Sequence, residues 1–65
     1  MIVTVNDERV EVDGTTTVAG LLHRLGFPDK GIAVALDWSV IPRSDWETTL
    51  SDGARLEIVT AVQGG

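Results

Sequence analysis

Val18, Leu21, Leu22 and Leu25 fall at i, i+3, i+4 and i+7, which lines one stripe of a helix with apolar side chains and leaves its other faces to water. Such a stripe has to be covered, and the segments on either side of it read as strands. Thr15-Thr16-Thr17 offers hydroxyls that cap the helix start. Gly26 follows as a C′ residue and Pro28 prevents continuation. Gly20 lies inside the helix, where it costs up to about 1 kcal/mol against Ala; close packing on a strand is the expected compensation.

Ahead of the helix, Ile2, Thr4 and Asn6 alternate with Val3 and Val5, and Val10 and Val12 alternate with Arg9, Glu11 and Asp13. With Asn6-Asp7-Glu8 as the turn, this is a β-hairpin, closed by Asp13-Gly14. After the helix, Ile32-Ala33-Val34-Ala35-Leu36 is apolar throughout, as expected of a strand covered on one face by the helix and crowded on the other. Asp37-Trp38-Ser39 turns the chain into the short segment Val40-Ile41, which Pro42 stops. Ser44-Asp45-Trp46-Glu47 has capping-box spacing and predicts a single helical or 3₁₀ turn starting there. Ser51-Asp52-Gly53-Ala54 is a turn, and Arg55 to Val62 form the last strand.

The order β-β-α-β-β(short)-turn-β predicts an α+β domain in which a mixed sheet of four to five strands wraps over one main helix, with the first or final strand central. This is the β-grasp, or ubiquitin-like, arrangement. Its expected core is Val3, Val5, Val18, Leu21, Leu22, Leu25, Val34, Leu36, Leu50, Leu56 and Ile58. The domain spans residues 1–62, and 63–65 form a tail.

With 65 residues, such a domain buries only about 60% of its unfolded surface and leaves little room for a deep pocket. The chain has no cysteine, so it carries neither a disulfide framework nor a thiolate metal site. His23 is the only histidine and reads as a solvated helix position, since zinc needs three or four donors. Ser39, Ser44 and Ser51 sit in turn contexts, outside any nucleophile elbow, and no P-loop is present. The chain therefore reads as a substrate of enzymes and not as an enzyme, with no bound cofactor.

Ten acidic against five basic side chains give a formal charge of -5, which repels phosphate backbones and acidic membranes. Nucleic acid and membrane are accordingly not expected partners. Acidity serves solubility, and it equally favours encounter with a basic protein face. The longest apolar run, Gly31 to Leu36, is far shorter than the ~18 residues of a membrane span, and the N-terminus lacks a basic region followed by an apolar one. The expected location is the cytoplasm.

Gly64-Gly65 ends the chain. Two residues without Cβ suit a terminus that enters a narrow channel and presents its carboxylate to a partner's active site, and the tail is expected to be disordered in the absence of a partner. If Leu56 and Ile58 face the helix, the period of two puts Val59 and Ala61 on the opposite sheet face. These two, with Val62 beside them, are the candidate partner-binding residues. Trp38 and Trp46 are either partner anchors or core closures, with packing favoured for Trp46. Arg43, beside Pro42, is able to pair with a carboxylate of this chain or of a partner chain. Asp7, Glu8, Glu11 and Asp13 read as a solvated turn.

Ile32 to Asp37, then Val40-Ile41-Pro42-Arg43, Trp46, Leu50, Asp52-Gly53, Leu56-Glu57-Ile58-Val59 and Ala61-Val62-Gln63-Gly64-Gly65, together resemble the ThiS family, the small sulfur carriers of thiamine biosynthesis. The Ile41-Pro42-Arg43-Ser44-Asp45-Trp46 segment and the diglycine end are the specific parts, and Asp37 stands where an Asn is common. The resemblance implies that Gly65 is adenylated with ATP by a ThiF-like adenylyltransferase similar to ubiquitin-activating enzymes. A persulfide sulfur donor then converts the adenylate to a thiocarboxylate, which delivers sulfur to thiazole synthase. Gly65 carries the modification, Gly64 gives reach, and Val59, Ala61 and Gln63 guide docking. Two readings stand beside it. One is a molybdopterin-synthase small subunit, against which the short chain and the Pro42-Arg43 to Trp46 spacing weigh. The other is a ubiquitin-like modifier joined to lysines through Gly65. A plain interaction module with inert glycines is the third alternative.

Overall fold

Residues 1–60 are described by the computed structural model of the chain. Asn6 and Asp7 take positive φ values of 48° and 70°, a conformation that their short polar side chains tolerate and that a two-residue hairpin of type I′ requires. They join β1 (Ile2–Val5) to β2 (Glu8–Glu11), with Ile2 opposite Glu11 and Val5 opposite Glu8. Val12 continues this pairing beyond β2, since its N–H donates to Met1 O at 2.8 Å and the Met1 ammonium donates to Val12 O at 2.8 Å.

Helix α1 (Val18–Arg24) starts at the Thr17 cap, whose hydroxyl accepts the Gly20 N–H at 3.0 Å. Two further first-turn donors are satisfied from outside the helix: Val18 N–H by Thr48 O (3.1 Å) and Ala19 N–H by Trp46 O (2.8 Å). Gly26, with φ 83°, ends the helix as expected. The helix closes at Arg24, so Leu25 falls in its cap and is 40% exposed, not in the core. A Cβ on Gly20 would meet Thr17 Oγ1 at 3.2 Å, so what crowds that position is the helix's own cap and not a strand.

Strand β3 (Ile32–Leu36) pairs antiparallel with β4 (Ser39–Ile41) and with β5 (Arg55–Thr60). Strand β5 in turn runs parallel to β1, giving the order β2-β1-β5-β3-β4 with β5 central. The mixed five-stranded sheet on one helix is the β-grasp arrangement. A 3₁₀ turn at Arg43–Asp45 follows β4; it is capped by Pro42 without a side-chain bond, so Ser44 lies inside the turn and does not start it. The fixed φ of Pro42 sets the start two residues early.

Val18, Leu21 and Leu22 pack with Val3, Val5, Val34, Leu56 and Ile58 in one core cluster, each large side chain contributing about 1.5–3 kcal/mol by burial. Val12, Ala54 and Trp46 join them. Leu36 is only half-buried and packs at the margin, where β3 turns toward the edge strand.

Candidate functional site

Leu56 and Ile58 point from β5 into the core, so the period of two turns Arg55, Glu57 and Val59 to the sheet face away from the helix. Val59 is 60% exposed. Its partner across β3 is Ala33, while Ala35 lies between Glu57 on one side and Val40, 76% exposed, on the other. Small alanines flanked by exposed valines make an apolar strip across β4, β3 and β5. Ala33 and Ala35 are half-buried between their cross-strand neighbours, while Val40 and Val59 stand exposed.

One end of the strip is fixed by the β3–β4 turn. Asp37 and Trp38 both have positive φ, 49° and 76°, and a bulky side chain in that region is an outlier costing about 1–2 kcal/mol. Two bonds hold the turn to β5, one between backbones and one to a side chain: Asp37 N–H donates to Arg55 O at 2.8 Å and Arg55 N–H donates to Asp37 Oδ1 at 2.9 Å. The Arg55 guanidinium then lies 4.5 Å from the centre of the Trp38 ring. Its Nε donates to Glu57 Oε1 at 2.8 Å and its Nη2 to Asp7 Oδ1. Trp38 itself is 73% exposed.

The far end of β5 is held by Asn6, whose side-chain amide bonds both the N–H and the C=O of Ile58. The strand that leads toward the C-terminus is thus paired on both edges. Of the residues read from the sequence as docking or tail positions, Val59 lies on the outer face, and Ala61, Val62, Gln63, Gly64 and Gly65 lie outside the described residues.

The remaining polar side chains offer little chemistry. His23 is exposed on the helix, and among the described residues no group of three His, Cys, Asp or Glu side chains is placed to share a metal ion. Arg43 donates to the Asp29 carbonyl and lies 5.2 Å over the Trp46 ring; among the described residues it pairs with no carboxylate. The Trp46 ring is buried, as its position in the sequence suggested. Asp13 accepts from the Thr15 hydroxyl (2.6 Å), the Thr15 N–H (2.8 Å) and the Thr16 hydroxyl (3.2 Å), which together hold its carboxyl below the ordinary value. No helix among the described residues is long and apolar enough to cross a membrane.

Sequence reasoning weighed Trp38 but gave no role to Val40, Ala33 or Ala35. Their signal was the same period of two that exposed Val59, hidden because every residue of β3 is apolar.

The model of the ThiS family matches residues 3–65. A crystal structure of the thiamine biosynthesis protein (ThiS) from Geobacter metallireducens superimposes with a TM-score of 0.81 at 30% identity, covering 100% of both chains. A solution structure of a thiamine biosynthesis protein from that organism gives 0.76 at 32% identity, covering 100% of this chain and 88% of the other. A thiazole synthase from Paramagnetospirillum magneticum is 32% identical over 66 residues, which takes in 100% of this chain but only 20% of that protein's length.

Proposed function

Because this chain belongs to the ThiS family, the sulfur carriers of thiamine biosynthesis, we propose that its Gly65 carboxylate is the group that is loaded and delivered. The carboxylate attacks the α-phosphate of ATP inside a ThiF-like adenylyltransferase, releasing pyrophosphate and forming an acyl-adenylate. A persulfide sulfur from a donor protein attacks the acyl carbon and AMP leaves. A thiol then cleaves the remaining S–S bond, and a thiocarboxylate stays on Gly65. The chain contributes no catalytic group and binds no cofactor; ATP enters at the activating partner. Loading takes place in the cytoplasm.

The observation that carries this reading is the family match, which runs through Gly64 and Gly65. Delivery to thiazole synthase is supported by the relative of that name, in which a stretch similar to this whole chain occupies one fifth of the polypeptide. Gly64 gives the reach of a residue without Cβ, and Val59, Ala61, Val62 and Gln63 guide the approach.

Intact mass after incubation with the adenylating enzyme, ATP and a persulfide donor tests it. An oxygen-to-sulfur exchange confined to the last peptide is expected, and one Ala added after Gly65 abolishes it. Unchanged mass in an active extract, or lysine conjugates through Gly65, would replace the reading with another.

A further inference from the structure

Trp38 is the large aromatic side chain that this surface leaves in water, and it is held there by more than chance packing. Its turn is bonded to Arg55 through Asp37, and the ring is stacked at 4.5 Å on the Arg55 guanidinium. That guanidinium is in turn paired with Asp7 and Glu57. An exposed Trp ordinarily loses rotamer freedom when a partner takes it up, whereas a ring already stacked has lost much of that freedom before encounter. The positive φ of 76° at Trp38 marks backbone strain that persists only where surrounding contacts impose it. The ring sits at one end of the strip formed by Val40, Ala35, Ala33 and Val59, with Asp7, Asp37 and Glu57 beside it.

We propose that Trp38, held by Arg55, is the anchor by which this carrier seats its outer sheet face in an apolar, basic-rimmed pocket of thiazole synthase, a step that rests on the sulfur-carrier reading above. The chemistry of the pocket follows from the face: an aromatic and two valines need apolar walls, while Asp7, Asp37 and Glu57 in a chain of net charge -5 call for Lys or Arg at the rim. Thiazole synthase is the occupant because a stretch like this chain occurs within a protein of that name. Arg55 is a positioning residue, acting through the ring it holds.

The test is calorimetric titration of the full chain into purified thiazole synthase, with Trp38→Gly, Trp38→Phe and Arg55→Met alongside. Glycine suits the positive φ, so Trp38→Gly removes the ring without straining the turn, and thermal melting verifies the fold. Trp38→Gly is expected to raise Kd about 30-fold or more, as for a central Trp hot spot. Trp38→Phe recovers most of that loss. Arg55→Met gives an intermediate rise, and the wild-type Kd weakens as salt is raised. Unchanged binding by a folded Trp38→Gly variant overturns the proposal. So does a loss of Gly65 adenylation with thiazole synthase binding intact, which would assign the ring to the activating enzyme, or a wild-type dimer in sedimentation that this variant dissolves. Failure of the carrier reading has a different signature: no thiocarboxylate forms on wild-type Gly65, whatever the calorimetry gives.

Discussion

The side chain of Asn6 completes a ladder that its own backbone has already left. Thr4 N–H bonds Ala54 O, one residue ahead of β5, and Asn6 N–H bonds Leu56 O within it, both at 2.9 Å. The chain then turns away at positive φ, and the Asn6 amide supplies the next rung instead, accepting from Ile58 N–H at 2.8 Å and donating to Ile58 O at 3.1 Å. Asn6→Gly keeps the turn and deletes the rung. A loss of about 1–2 kcal/mol is expected from two hydrogen bonds, read as a lower urea midpoint at constant m, together with faster exchange of the Ile58 amide. Unaltered exchange at Ile58 would show that the rung does not hold β5.

Thr17 and Gly20 are coupled by the cap, because a methyl at residue 20 sits 3.2 Å from the hydroxyl that bonds the Gly20 N–H. Thr17→Ala costs about 1 kcal/mol. Gly20→Ala gains about 1 kcal/mol of helix propensity only where the hydroxyl is absent. The double variant is therefore expected to be more stable than the sum of the single changes, measured as a double-mutant cycle in urea.

Asp13 makes the acid limb of stability specific. Its carboxyl is held below the ordinary value, first by the Thr15 hydroxyl, then by the Thr15 N–H and the Thr16 hydroxyl. A carboxyl depressed by folding contributes stability that is complete above its unfolded pKa of about 3.9, and that is lost as pH falls through the lower folded value. Asp13→Asn removes this dependence. The stability difference between wild type and variant should shrink as pH falls below about 4, and a difference constant down to the acid transition would contradict it.

Leu21 and Leu56 are fully buried in the one core. A domain of this length has about 3–10 kcal/mol of total stability, and a buried Leu→Ala removes about 2–5 kcal/mol. Either substitution should leave a substantial unfolded fraction at 37 °C, visible as lost near-ultraviolet signal from Trp46. Leu25→Ala, at a 40% exposed cap position, should lower the midpoint by less than half as much.

The architecture was legible because each element carried its own period and its own stop: hydrophobic spacing for α1, Asn6-Asp7 and Asp37-Trp38 for the two hairpins, Gly26 for the helix end. What was not legible depended on ends and neighbours. Leu25 matches the stripe in spacing, but the helix closes one residue before it. Ser44 matches a capping box, but Pro42 sets the turn first. Val12 and Ala54 lie outside the strands, and only pairing with Met1 and Thr4 brings them in. The sheet face was legible at Val59 alone, since Arg55 finds Trp38, Asp7 and Glu57 only when three separate hairpins and strands meet.

The central place of β5 has a mechanical consequence. It lies parallel to β1 on one edge and antiparallel to β3 on the other, so traction applied beyond Thr60 meets both ladders in shear, with bonds resisting together instead of unzipping singly. The body should therefore resist a pull along β5 more than a pull that peels an edge strand such as β2 or β4 away from its single neighbour.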